Sequence, residues 1–425
     1  MDETYYISEL PQNWIICKLE DLSVGKNGIV DGPFGSNLKK SDYITDSVNG
    51  VPVLTTKNLE GDYSDKNVRF ISKRKFEELK RSQVIPGDIL VAKIGSIGKT
   101  GIYPKNARTA IIPANLLKFT VSKNADLKYV FWYLNFSLFQ KKLKEISTAT
   151  AQPAFNVTKF RQLTIPLPPL DEQHRIVAKI EELFSSLDKG IESLKAAQQQ
   201  LKIYRQSVLK WAFEGRLTNN TQVGDLPEGW KCEPLGEIAE LCLGKMLDKE
   251  KNRGEYQPYL RNINVRWGTF DLSSLDMMRF EDFEKERYSV QPGDLVICEG
   301  GEPGRCAIWT SNHTMYIQKA LHRVRLVKNY HPKYIYYYMF FLASNGQLEQ
   351  YFTGTTIKHL TGRELKRIKI LAPKKYSEQE EIISQIESRL SICDKLEESI
   401  NQNLQQSDVL RQSILKKAFE GELVT

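Results

Sequence analysis

The run most suggestive of chemistry is Gly95-Ser96-Ile97-Gly98-Lys99-Thr100. A glycine-rich loop ending in Lys-Thr cradles nucleotide phosphates, because backbone N–H groups, a cation and a hydroxyl converge on them. The full motif needs a further glycine where this chain has Lys93, and the later run Gly301-Glu302-Pro303-Gly304-Arg305-Cys306 has no Lys-Thr. Nucleotide hydrolysis is not expected. Leu167-Pro168-Pro169-Leu170 is superficially similar to the Asn/Asp-Pro-Pro-aromatic motif of amino-methyltransferases, but lacks both the polar residue and the stacking ring, and reads as a turn into a helix. Cys298, Cys306, His313 and His322 lack the paired spacing of a metal finger. No Gly-x-Ser-x-Gly elbow or His-Glu-x-x-His is present. The expectation is a non-catalytic chain with neither metal nor cofactor, whose function lies in its surfaces.

Binding chemistry is better represented. Sixty Lys and Arg against 52 Asp and Glu give a formal charge of +8, which permits a polyanionic partner without requiring one. Arg or Lys reads guanine and Asn or Gln reads adenine at base edges. Candidates that pair between the two halves are Lys57-Asn58 with Arg261-Asn262, Lys99 with Arg305, and Lys118 with Arg323. Further basic or amide groups are Lys26, Asn27, Lys39, Lys40, Gln152, Lys245, Arg266, Lys319, Lys358, His359 and Arg363. Any single one reads as a solvated surface charge, so the set carries the suggestion.

The elements that must position these groups are written twice. Residues 207–218 read SVLKWAFEGRLT and residues 413–425 read SILKKAFEGELVT. At the same separation Pro86-Gly87-Asp88-Ile89-Leu90 returns as Pro292-Gly293-Asp294-Leu295-Val296, and Glu172-Gln173 as Glu378-Gln379. Leu10-Pro11-x-x-Trp14 returns as Leu226-Pro227-x-x-Trp230 at a slightly larger one. One unit per half is a duplication, not a solenoid. Strand-like runs mixed with helical patches give an α+β (mixed α/β) fold class: two globular domains in tandem duplication, separated by two long helices forming an antiparallel coiled coil. The expected boundaries are a domain over 1–170, a helix over 171–217, a domain over 218–376 and a helix over 377–425. In the first helix Ile180, Leu187, Leu194, Leu201 and Val208 recur every seven residues, and in the second Ile386, Cys393, Ile400 and Ile414 recur in the same way. A 44-residue helix spans ~66 Å, more than a domain core needs, and reads as a spacer. Asp171 with Glu172 and Ser377 with Glu378 suit helix starts, and Gly215 and Gly421 suit helix ends. Gly190 interrupts the seam, either bending the helix or admitting a partner backbone.

Six cysteines without a Cys-x-x-Cys pair suit a reducing compartment. With no apolar stretch of membrane-spanning length and no basic-then-apolar start, a cytoplasmic location is expected.

The chain resembles the specificity subunits of type I restriction–modification enzymes. The resemblance rests on Asp31-Gly32-Pro33-Phe34-Gly35-Ser36, on Pro-Gly-Asp-hydrophobic in each half, and on Ile165-Pro166-Leu167-Pro168-Pro169-Leu170-Asp171-Glu172-Gln173. It rests also on Ala212-Phe213-Glu214-Gly215-Arg216-Leu217 and Ala418-Phe419-Glu420-Gly421-Glu422-Leu423. It implies two target-recognition domains, each reading one half of a split site on double-stranded DNA, and because the two halves of the chain diverge in sequence, an asymmetric site is expected. It implies as partners two adenine-methyltransferase (modification) subunits that bind S-adenosylmethionine, and leaves open whether two restriction subunits using ATP and magnesium accompany them. Trp211, Phe213 and Phe419 are candidates for docking the modification subunits, or else pack internally. The alternative to DNA reading is a protein-interaction scaffold with duplicated binding domains.

Overall fold

A computed structural model describes residues 10–61, 63, 68–148, 153–218, 227–248 and 250–424; the candidate Gln152 lies outside them. The chain forms two compact units, one of residues 1–193 with 403–425 and the other of residues 194–402. We call them unit 1 and unit 2. The boundaries fall inside the two long helices, Leu170–Phe213 and Tyr376–Phe419.

Unit 1 holds β1 Ile15–Lys18, β2 Ile29–Asp31, β3 Tyr43–Ile44, β4 Val51–Val53, β5 Arg69–Ile71, β6 Gln83–Val84, β7 Ile89–Ala92, β8 Thr100–Ile102, β9 Ala110–Ile111, β10 Leu116–Phe119 and β11 Thr164–Leu167. They form a four-stranded sheet β2-β10-β7-β8, a five-stranded sheet β3-β5-β4-β9-β6 and a pair β1-β11. β7 is apolar throughout because both its faces are covered. Ile89 and Val91 join the core beneath the helices, while Leu90 and Ala92 face the core shared with the second sheet.

Unit 2 repeats the plan with β12 Trp230–Pro234, β13 Ala239–Leu243, β14 Glu255–Leu260, β15 Val265–Arg266, β16 Thr269–Phe270, β17 Asp276–Phe280, β18 Ser289–Val290, β19 Leu295–Cys298, β20 Cys306–Ile308, β21 Met315–Ile317, β22 Leu321–Leu326 and β23 Lys369–Pro373. Its sheets are β13-β22-β19-β20, β17-β14-β21-β18 and the pairs β12-β23 and β15-β16. On β19, Leu295 and Ile297 face one core while Val296 and Cys298 face the other, the same alternation as on β7.

The repeated sequence anchors meet in space. In unit 1 the Trp14 indole N–H donates to Glu172 (2.9 Å), and the helix-ending Gly421 lies so close to Pro11 that a Cβ there would sit 2.4 Å from its Cγ. In unit 2 Trp230 donates to Glu378 (2.9 Å), and Gly215 lies as close to Pro227. Both glycines have positive φ, 82° at Gly421 and 72° at Gly215, as a left-handed helix end requires. Gln173 and Gln379 are buried plugs. Each accepts the N–H of a helix-capping residue, Asp126 or His331, and donates to a proline carbonyl, Pro168 or Pro373.

Each unit closes its core with the end of a long helix. In unit 1 the fully buried Phe419 ring meets Tyr129, Tyr133 and Phe136 at 5.0–5.6 Å. In unit 2 Phe213 meets Tyr334, Tyr338 and Phe341 at 5.0–5.3 Å. These two phenylalanines are therefore not docking residues, since a ring without free surface has nothing to offer a partner. Trp211 remains half-buried beside Tyr204 and Arg216.

The helices pair within each unit. In unit 2, Arg205 bridges Asp394 and Glu397 while Gln198 donates to Asn401, so the two helices run antiparallel. In unit 1, Arg411 pairs with Asp188 and lies over the Phe184 ring. Space around Gly190 is open, which removes close backbone approach as its reason.

Candidate nucleic-acid interface

In unit 1 four loops converge at one end of the four-stranded sheet. They follow β2 (residues 32–40), join β7 to β8 (93–99), precede β10 (113–115) and follow β4 (54–60). Gly32 is required here because a Cβ would strike the Pro113 carbonyl at 2.2 Å. The loops enclose a cleft of about 570 Å³ whose polar lining is Tyr43, Thr56, Ser96 and Asn115. A groove of about 790 Å³ on the other flank of the Gly95–Lys99 loop is lined also by Asn135, Gln140, Lys144 and Thr148.

The charge at the head of that loop is already satisfied. Lys93 is buried and donates to Asp31 at 2.6 Å, with its ammonium 4.9 Å from the Phe34 ring centroid. Phe34, Ser36, Asn37, Lys39, Lys40 and Lys57 are exposed around the cleft, and Lys99 is half-exposed and paired with Glu60. These can neutralise phosphates or reach base edges.

In unit 2 the matching loops follow β13 (244–248), join β19 to β20 (299–305), precede β22 (318–320) and follow β14 (261–264). Gly244 stands where Gly32 does, packed against the Gln318 carbonyl. The loop 353–359, closed by a bridge between Thr353 and His359, adds His359, whose Nδ1 would lie 3.1 Å from a Cβ on Gly300, and Asn262 lies against Gly301. Lys319, Lys358 and His359 are exposed, and Asn262 is half-buried.

Several sequence-derived candidates do structural work instead. Arg323 is buried; its guanidinium donates to the carbonyls of Arg287 and Ser289 and pairs with Glu240. Lys245 is buried against Glu281 and Glu284; burial opposes its charge, but the two carboxylates outweigh it and hold the ammonium above its ordinary range. Lys118 points into the space between the sheets toward Asp88, where burial pushes the lysine down and the aspartic acid up.

Asn58 is buried, and its Oδ1 accepts the Thr55 N–H. Its counterpart is Asn264, accepting the Arg261 N–H, and not Asn262 as the sequence pairing had it. That shift puts Arg261 opposite Thr55, where it is held by Asp276 (2.8 Å). Arg305 is tied to Glu302 and the Asn262 carbonyl. Arg266 and Arg363 are exposed but lie near Asp271 and Glu364. Lys26 and Asn27 precede β2, at the opposite end of the sheet from the cleft.

Sequence reasoning missed Ser96 and Asn115 as cleft residues, and Glu299 altogether. The Pro-Gly-Asp anchors offered a reference point, because strand register from Asp88 and Asp294 leads directly to Lys93 and Glu299. Cys298 and Cys306 pack as thiols between layers, where burial pushes Cys298 to about 11 and Cys306 higher still. Among the described residues no cluster of three metal-ligating side chains occurs, and no helix is long and apolar enough to cross a membrane.

Comparison with known proteins agrees with the duplication. The chain is 26% identical to the EcoKI specificity subunit of Escherichia coli strain K12, covering 98% of this chain and 90% of that one. It is 24% identical to the putative MjaX specificity subunit of Methanocaldococcus jannaschii, over 98% and 95% of the two chains. Among solved structures, a chain from work on complex assembly and conformational transition of the type I R-M system has the same fold. It aligns with a TM-score of 0.71 at 18% identity, covering 97% of this chain and 99% of its own. The HsdS subunit of Thermoanaerobacter tengcongensis aligns at 0.60 and 18%, over 97% and 98%. The family described as type I restriction modification DNA specificity domain matches twice, over residues 11–202 and 227–406, one copy for each half of the duplication. The chain belongs to that family.

Proposed function

We propose that this chain is the sequence-reading subunit of a type I restriction–modification complex, with each loop cluster reading one half of a discontinuous DNA site. One observation carries the reading: two copies of one fold present, at the same end of the same sheet, loops that share backbone course but differ in side chains. Identical scaffolds with unequal contacts suit an asymmetric bipartite target. Exposed Lys39, Lys40 and Lys57 in unit 1 and Lys319 and Lys358 in unit 2 neutralise phosphates, while uncharged groups such as Asn115 and Asn262 face base edges. The long helices fix the gap between half-sites.

Chemistry belongs to the partners: two modification subunits that bind S-adenosylmethionine and methylate adenine, joined in the full enzyme by restriction subunits using ATP and magnesium, all in the cytoplasm. The half-buried Trp211 remains available for docking. The test is to co-express the chain with an adenine methyltransferase subunit and map methylated adenines across a genome. One discontinuous motif with unlike halves is expected. No methylation dependent on this chain, or a continuous motif, would overturn the reading.

A further inference from the structure

Lys93 and Glu299 occupy the same backbone seat with opposite charge. The N–H of Lys93 bonds the Asn115 carbonyl and its own carbonyl accepts from Phe155, whereas the N–H of Glu299 bonds the Ala320 carbonyl and its carbonyl accepts from Leu360. The strand registers agree: the final residues of β7 and β19, Ala92 and Cys298, pair with the first residues of β10 and β22, Leu116 and Leu321. In unit 1 the seat is neutralised, since the last residue of β2 is Asp31 and it takes the Lys93 ammonium. In unit 2 the last residue of β13 is Leu243, which offers no charge.

Glu299 is half-buried, and among the described residues no donor or cation reaches its carboxylate. The titratable group that feels its charge is His322, buried and bonded to the Leu360 carbonyl, with its imidazole held below the ordinary value by burial. Its oxygens keep contact with solvent, so water satisfies them in the free chain, and a donor on a ligand entering the loop cluster would take the place of that water. That donor cannot be a phosphate, which would repel it. The DNA group that matches a lone carboxylate is an exocyclic amine on the major-groove edge, cytosine N4 or adenine N6.

We propose that Glu299 is a specificity-determining residue of unit 2 that accepts a hydrogen bond from such an amine, with cytosine the first choice. The inference rests on the DNA-reading function proposed above. Unit 1, whose seat is occupied internally, reads with the neutral groups of its cleft instead.

The experiment uses the full chain assembled with its modification subunit and a randomised DNA library, comparing wild type with Glu299→Gln and Glu299→Asp. Glu299→Gln, which preserves shape, is expected to lose tenfold or more of the discrimination at one base pair of one half-site, and to leave the other half-site unchanged. The preferred base at that position distinguishes cytosine from adenine. Glu299→Asp keeps the charge but withdraws it by one methylene, and is expected to weaken the same position. If both variants keep every base preference of the wild type, or lose affinity uniformly over all sequences, Glu299 reads no base and the proposal is overturned. A wild-type complex that selects no discontinuous site would instead sink the DNA-reading function itself.

Discussion

Unit 1 and unit 2 share the strand order of the four-stranded sheet that carries the loops, its turn chemistry and its core closure, yet handle charge at their reading ends in opposite ways. Unit 1 spends Lys93 on Asp31 and presents a neutral polar cleft ringed by exposed lysines. Unit 2 buries Lys245 against Glu281 and Glu284, buries Arg323 beneath the sheet, and leaves Glu299 unpaired among the described residues. A duplicated scaffold thus diverges by changing which charges are satisfied internally, because backbone hydrogen bonds hold the loops in place whatever side chain occupies the seat. A buried pair removes a charge from the reading surface without removing the residue.

The largest expected effects test whether the two cores are equivalent. Phe419→Ala should destabilise unit 1, and Phe213→Ala unit 2, by ~3–5 kcal/mol each, the usual cost of emptying a fully packed aromatic site. Hydrogen exchange followed segment by segment would read this. Loosening confined to residues 127–145 for the first and 332–342 for the second supports the equivalence, and uniform loosening of both units breaks it.

Next comes the charge difference. Lys93→Met leaves the half-buried Asp31 without its cation and should cost ~2 kcal/mol, whereas Asp31→Leu with Lys93→Met, which empties the pair, should recover most of that loss. Denaturant unfolding of single and double variants checks the order; a double variant as unstable as the single would mean that the pair is not what stabilises the loop.

Smaller still are the anchors. Trp14→Phe and Trp230→Phe each delete one indole bond to a glutamate and should cost ~1 kcal/mol in their own unit. A marked inequality between them would show that the two helix starts are not held alike.

The last test uses pH. His322 has its imidazole held below the ordinary value of 6.5 by burial, and strand register places Leu117 at its seat in unit 1. Because the unfolded chain takes up a proton that the folded one resists, the stability of unit 2 is complete above pH 6.5 and is lost as pH falls below it. The loss is at most ~1.4 kcal/mol per pH unit for each such group. His322→Leu should flatten that slope, leaving a weaker contribution from the less buried His331. An unchanged slope between pH 7 and 5 in thermal unfolding would contradict the assignment.

Much of the architecture was legible in the sequence because periodicity and turn residues are local. The heptad spacing of Ile180 through Val208 predicts a long helix, and the helix runs from Leu170 to Phe213. Gly215 and Gly421 read as helix ends because only a left-handed backbone fits there, and both have it. The candidate interface was less legible. Arg323, Lys245 and Asn58 are polar types on strands and turns like the exposed Lys57 and Lys319, and nothing local distinguishes a lysine facing solvent from one facing two glutamates 36 and 39 residues away. The pairing of Asn58 with Asn262 failed for a related reason: identity of residue type outweighed the separation set by the stronger anchors, and the hydrogen bonds choose Asn264.

What the sequence determined alone was the duplication, the helices and the turns, because each depends on residues close together along the chain or on the recurrence of one pattern. What only tertiary structure decided was which charges meet: that Trp14 finds Glu172, that Lys93 is silenced by Asp31, and that Glu299 has no partner among the described residues. Those outcomes depend on distant segments brought within a few ångströms, and the free energy of a charge is set by what surrounds it rather than by its neighbours in the chain.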